Sequence, residues 1–179
     1  PDRAYALSLR GVARDTALAY GMDFTDPADI EVVSSGEGYP IRVDDPDACP
    51  VFAARAVTGF DPARPTPRWM AQRIEQAGMR SISLAVDITN YVMLEIGHPI
   101  HGYDRSKLQG PFVVRRATEG EKLTTLDGVV RSLSADDTVI ADDRGPIGLA
   151  GVMGGEETEL SASTTDILIE AAHWKAPMI

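Results

Sequence analysis

Between positions 4 and 20, Leu7, Val12, Ala17 and Tyr20 recur at roughly helical intervals, and Gly21 follows as a residue suited to the left-handed conformation that ends helices. The spacing predicts an amphipathic helix. Positions 23–47 are rich in Asp, Gly, Ser and Pro and read as connector, after which 51–60 reads as a strand. Thr66-Pro67 places a capping residue before a first-turn proline, predicting a helix through 69–77 that closes at Gly78. A further helix is expected over 87–95, stopped by Gly97. Beyond it the pattern changes to short strands at 112–117, 122–126, 129–133, 138–141 and 167–172, with Asp127-Gly128 marking a tight hairpin.

Helices thus gather in the N-terminal half and strands in the C-terminal half, which predicts an α+β fold with mixed or antiparallel sheets rather than a βαβ repeat. A boundary near Ile41 separates an N-terminal helix and connector, residues 1–40, from a larger domain, residues 41–179. No internal repeat, heptad run or low-complexity tract interrupts this organisation.

With 44% hydrophobic and 25% charged residues among 179, the chain has enough apolar material for one large domain or two small interlocked ones. No window approaches the roughly 20 apolar residues of a spanning helix, so no membrane partner is expected. The opening Pro1-Asp2-Arg3-Ala4 lacks an initiating Met, and the chain stops straight after an apolar strand-like run, so it reads as part of a longer cytosolic chain. The net charge of -10 argues against a broad nucleic-acid surface and restricts RNA contact to a local patch, for which Arg10, Arg14, Arg115 and Arg116 are available. Cys49 is alone, which excludes an intramolecular disulfide and a multi-cysteine zinc site, and its bland reading is a small buried residue.

Three features offer chemistry. His98, His101 and Asp104 are ligand types for zinc, but Pro99 discourages a helix, and residues three apart on a strand face opposite sides. A single substrate-orienting His and ordinary packed histidines remain the alternatives. The run 148–155 holds four glycines without the Lys-Ser or Lys-Thr of a phosphate loop or the spacing of a dinucleotide fold, and reads either as a sharp turn or as backbone placed close to a ligand. Glu170 interrupts an otherwise apolar strand: it either faces water at an edge or points inward, where desolvation disfavours its charged form. Periodicity leaves these two open.

At these residues the chain resembles the phenylalanyl-tRNA synthetase beta subunit family. The motifs are Val86-Asp87-Ile88-Thr89-Asn90-Tyr91-Val92-Met93, Gly97-His98-Pro99-Ile100-His101-Gly102-Tyr103-Asp104, Thr125-Leu126-Asp127-Gly128 and Leu149-Ala150-Gly151-Val152-Met153-Gly154-Gly155, with the strand holding Glu170 and the opening Leu9-Arg10-Gly11. They follow in family order along nearly the whole chain. The resemblance implies a B3/B4-type α+β editing domain that hydrolyses mischarged Tyr-tRNA(Phe) within an enzyme that ligates Phe to tRNA(Phe). It implies catalytic roles for His101, Thr89 and Asn90, and a substrate pocket lined by Glu170, Arg55, Pro99, Gly151 and Ala172.

The same resemblance implies the tRNA(Phe) 3′ end and the synthetase alpha subunit of an α2β2 assembly as partners, in the cytoplasm. No cofactor or metal is expected in this chain, whereas ATP and magnesium belong to the parent enzyme. His98 stands where the family usually has Gln, and Gly102 where it often has Ala. Two other functions remain beside editing: a structural or tRNA-binding domain of the same subunit, and a metal-dependent hydrolase.

Overall fold

The computed structural model describes residues 3–32 and 38–175. Both chain ends and positions 33–37 of the expected connector lie outside the described residues. The chain divides into two compact units, Pro1–Glu37 with Ala63–Ile100, and Gly38–Pro62 with His101–Ile179.

The first unit is helical among its described residues: α1 (Arg3–Ala6), α2 (Leu9–Tyr20), α3 (Arg68–Gln76) and α4 (Leu84–Ile96). The continuous helix expected over 4–20 is broken at Ser8, which adopts an extended conformation and caps α2. Its Oγ accepts from the Gly11 amide at 3.0 Å and donates to the Tyr5 carbonyl at 2.7 Å, joining the end of one helix to the start of the next. Gly21 ends α2 with φ 63°, as its position predicts.

Thr66 does not cap α3, because Pro67 occupies the cap position and the Thr66 hydroxyl is drawn instead to Asp87 Oδ2 at 2.5 Å. Asp87 is fully buried and also accepts from Ser81 Oγ at 2.6 Å and the Ile82 amide at 2.9 Å. Three donors satisfy a carboxylate that burial would otherwise penalise heavily, so Asp87 ties the loop before α4 to the helix it begins. Met70 and Ile74 of α3 meet Tyr91 of α4 in a small apolar core.

The second unit carries the sheets. Its strands are β1 (Ile41–Val43), β2 (Val51–Val57), β3 (His101–Asp104), β4 (Phe112–Arg116), β5 (Lys122–Thr124), β6 (Val130–Ser132), β7 (Thr138–Asp142), β8 (Gly145–Leu149), β9 (Met153–Gly154) and β10 (Ile167–His173). A five-stranded sheet runs β1-β4-β7-β8-β9, and a three-stranded sheet runs β2-β10-β3. β5 and β6 form a hairpin around Asp127-Gly128, with Gly128 at φ 75°. Among the described residues all strand pairings are antiparallel except β1 with β4. The fold is therefore α+β with mixed sheets, as the sequence predicts.

One core cluster draws Tyr103 and Leu168 from the three-stranded sheet and Phe112, Val114, Ile140 and Ile147 from the five-stranded one. Burying these side chains is what holds the two sheets together. Among the described residues no helix is long and apolar enough to cross a membrane.

Candidate functional site

Strand β10 lies between β2 and β3, and its register decides which side chains meet. Glu170 pairs with His101 on β3 and Ala54 on β2, while Leu168 pairs with Tyr103 and Ala56. Side chains alternate along a strand, so His101, Tyr103, Leu168, Glu170 and Ala172 share one face of the sheet. That face is the inner one, because Tyr103 and Leu168 belong to the core cluster and Ala172 packs against it. The choice left open for Glu170 is thereby made: it is 7% exposed and points inward.

Tyr103 is completely buried, and its hydroxyl donates to Glu170 Oε2 at 2.5 Å. Burial pushes the Glu170 carboxyl up to about 7, while the Tyr103 hydrogen bond pulls it the other way. The phenol itself is raised well above its ordinary range by burial and by the neighbouring carboxylate, so it stays a donor. The His101 ring stands perpendicular to Tyr103 with centroids 4.5 Å apart. Burial holds the His101 imidazole down at about 4, which leaves it neutral near pH 7. Its Nε2 is buried without a hydrogen-bond partner among the described residues. An unmet buried nitrogen is uncommon in folded proteins.

The glycine run closes over this pair. A Cβ at Gly154 would collide with the His101 imidazole, and one at Gly148 would lie 3.6 Å from the Tyr103 hydroxyl. The two glycines sit opposite each other on β8 and β9. The missing side chain of Gly154 lets the backbone lie directly on the His101 ring, whereas Gly148 has room for a Cβ at ordinary contact distance. Gly151, at φ 67°, lies in the turn between the two strands. The run is thus a turn and a close approach at once, the approach being to His101.

The remaining predicted residues are distributed as follows. Arg55 is exposed, and its register partner is Ile169, so it lies on the face of the sheet opposite Glu170. Thr89 and Asn90 are half-buried on α4 of the first unit, where the Thr89 hydroxyl donates to the Val86 carbonyl at 2.8 Å. Pro99 is exposed and His98 half-buried in the segment after α4. Asp104 is committed to the loop it caps: Ser106 donates from its amide at 3.0 Å and its hydroxyl at 2.6 Å, and Thr164 at 2.7 Å. Burial alone would raise the Asp104 carboxyl, but these bonds outweigh it and hold the group below its usual range. Cys49 is buried, its thiol pushed up to about 11 by desolvation and by Glu170. It is an unreactive packing residue.

Among the described residues no group of three or more His, Cys, Asp or Glu side chains is placed to hold a metal. The sequence reading missed Tyr103, although residues 101 and 103 are two apart and therefore share a face once 101–104 is taken as a strand. It also missed a cavity of about 170 Å³ in the same unit, walled in part by Lys122, Arg144 and Glu157. There Arg144 is already paired with Asp142 at 2.9 Å and with Glu157 at 3.6 Å.

Comparison with known proteins places this geometry in context. The family model described as the B3/4 domain matches residues 48–179. The chain is 61% identical over its full length to a phenylalanine–tRNA ligase beta subunit of Thermobifida fusca, covering 22% of that protein. It is 59% identical over 97% of its length to the same subunit of Streptomyces avermitilis, covering 21% of it. The chain thus spans about a fifth of the length of these relatives. A crystal structure of an N-terminal fragment of the phenylalanyl-tRNA synthetase beta subunit from Pyrococcus horikoshii is similar with a TM-score of 0.54. That likeness covers 99% of this chain and 55% of the other at 16% identity, and speaks to the fold alone.

Proposed function

The chain belongs to the B3/4 domain family, and from that premise we propose that it is the editing part of a phenylalanine–tRNA ligase beta subunit, hydrolysing tyrosine wrongly joined to tRNA(Phe). Phe and Tyr differ by one hydroxyl, which an apolar pocket rejects only about a hundredfold. A second site that binds the hydroxyl inverts the selection. A buried acceptor is satisfied by the phenol of Tyr and left unpaired by Phe, and sites of this kind discriminate by roughly 10⁴ to 10⁵. The observation that carries the reading is the buried Glu170 carboxylate, with one oxygen on Tyr103, beside a neutral His101 whose Nε2 has no partner among the described residues.

In this reading Glu170 accepts the phenol, and His101 holds the attacking water or the ester oxygen. A neutral imidazole both donates and accepts, which suits orientation. The terminal ribose hydroxyl is available to assist proton transfer, so His101 need not be the sole base. Gly151 admits the backbone to the aminoacyl group and Ala172 supplies apolar contact, while the roles proposed for Thr89, Asn90 and Pro99 rest on the family resemblance alone. Arg55, exposed on the opposite face of the sheet, is not brought to the Glu170 carboxylate, and its place in the substrate pocket rests on the family resemblance alone.

The ligation reaction, with its ATP and magnesium, belongs to the rest of a cytoplasmic α2β2 enzyme, and no step of it is assigned to this chain. The test is release of amino acid from Tyr-tRNA(Phe) and Phe-tRNA(Phe) by the intact parent enzyme. Rapid loss of Tyr with Phe retained is the expected result. Equal, slow rates for both leave a structural or tRNA-binding domain in its place.

A further inference from the structure

Resting on the editing reading, we propose that Tyr103 is a positioning residue of that site, its hydroxyl anchoring one oxygen of Glu170 so that the other is presented to the substrate phenol. The protein's own phenol and the substrate's phenol would then share one carboxylate. Tyr103 has no freedom to do otherwise. It is fully buried, packed between the perpendicular His101 ring at 4.5 Å and Phe112 at 4.9 Å, and its hydroxyl meets Glu170 at 2.5 Å. A phenol has one proton to donate, and here it is spent on Oε2.

A carboxylate accepts up to about four hydrogen bonds, yet Oε1 of Glu170 receives none among the described residues. An unanchored glutamate turns about several side-chain bonds, and fixing one oxygen removes that freedom before substrate arrives.

The surroundings leave Tyr103 as the group that acts on Glu170. From β3 it is faced by Tyr103 and by His101, which burial keeps neutral. From β2 its register partner is Ala54, which carries no titratable group. The nearby Cys49 thiol is protonated at neutral pH. Among the described residues no cation contributes to the ionisation of Glu170, whereas the Tyr103 hydrogen bond favours the charged form. A charge-assisted bond of this kind holds an ionised carboxylate by about one to two pKa units.

The test is Tyr103→Phe in the intact parent enzyme, with hydrolysis of Tyr-tRNA(Phe) and Phe-tRNA(Phe) followed from pH 5.5 to 9. The rising limb for Tyr-tRNA is expected to move up by about one to two pH units. At pH 7 the ratio of Tyr- to Phe-tRNA hydrolysis then falls roughly five- to fiftyfold. A second variant, 3-fluorotyrosine at position 103, keeps the shape but donates more strongly, and should move the limb to lower pH; it decides the matter if Tyr103→Phe does not fold. Wild-type enzyme that spares Tyr-tRNA overturns the editing reading and this one with it. Active wild type with variants whose pH profile stays put, or whose losses are equal on both substrates at every pH, overturns the anchoring role alone.

Discussion

Replacing Glu170 with Gln should stabilise the fold in a pH-dependent way, and the amount follows from the two perturbed groups that share its face. Glu170 titrates near 7 in the fold against an ordinary 4.5, so between those values the folded chain holds a proton that the unfolded chain has released. Stability contributed by this group is complete below about 4.5 and is lost as pH rises to about 7, beyond which the ionised buried carboxylate costs about 3 kcal/mol. His101 works in the opposite sense. Its folded value of about 4 lies below the ordinary 6.5, so stability is lost as pH falls from about 6.5 to 4, by a similar 3 kcal/mol. Between about 4.5 and 6.5 the two slopes offset each other in the wild type.

Glu170→Gln retains an acceptor for Tyr103 and removes only the carboxylate slope. Urea denaturation of the two proteins at a series of pH values measures the difference. It should be smallest near pH 4.5 and grow by about 3 kcal/mol by pH 8, while the variant alone displays the rise with pH that His101 imposes. A difference that stays constant across that range would refute the inward, weakly solvated carboxylate.

Three further outcomes are expected. His101→Ala should slow Tyr-tRNA hydrolysis by roughly 10² to 10⁴ if the imidazole moves a proton, and less if it only orients, whereas His98→Gln should be nearly silent; equal losses in single-turnover assays would place both histidines in one structural role. Gly154→Ala forces a methyl into the His101 ring and should cost about 1 to 3 kcal/mol in thermal or urea unfolding, an unchanged midpoint arguing against the close β8–β9 cover. The chain alone, with a net charge of -10, should bind tRNA weakly in a filter-binding titration, and tight association that weakens steeply with salt would contradict this.

The helices were legible because their periods and glycine stops are local, and Gly21 and Gly97 end α2 and α4 as read. Ser8 and Thr66 were not, because a hydroxyl that caps a neighbouring helix or reaches a carboxylate 21 residues away leaves the local pattern unchanged. Strands with branched side chains, such as β4 and β10, announced themselves. β3 (His-Gly-Tyr-Asp) and β8 (Gly-Pro-Ile-Gly-Leu) did not, since glycine, proline and aspartate read as turn and these strands form only because neighbours pair with them.

The same limit hid the site. Glu170 stood out by composition, but its direction depends on a register with residues about 70 positions earlier on β3. Tyr103 became visible only once that pairing put two aromatic rings and a carboxylate on one face.

The central claim is tested most directly by single-turnover hydrolysis of Tyr-tRNA(Phe) by the intact parent enzyme carrying Glu170→Ala, with circular dichroism confirming the fold. Loss of a charged acceptor for the phenol should slow hydrolysis roughly ten- to a hundredfold, while Phe-tRNA(Phe) is cleared no more slowly than before. Unchanged clearance of Tyr-tRNA by a folded variant would contradict the assignment of Glu170 as the group that recognises tyrosine.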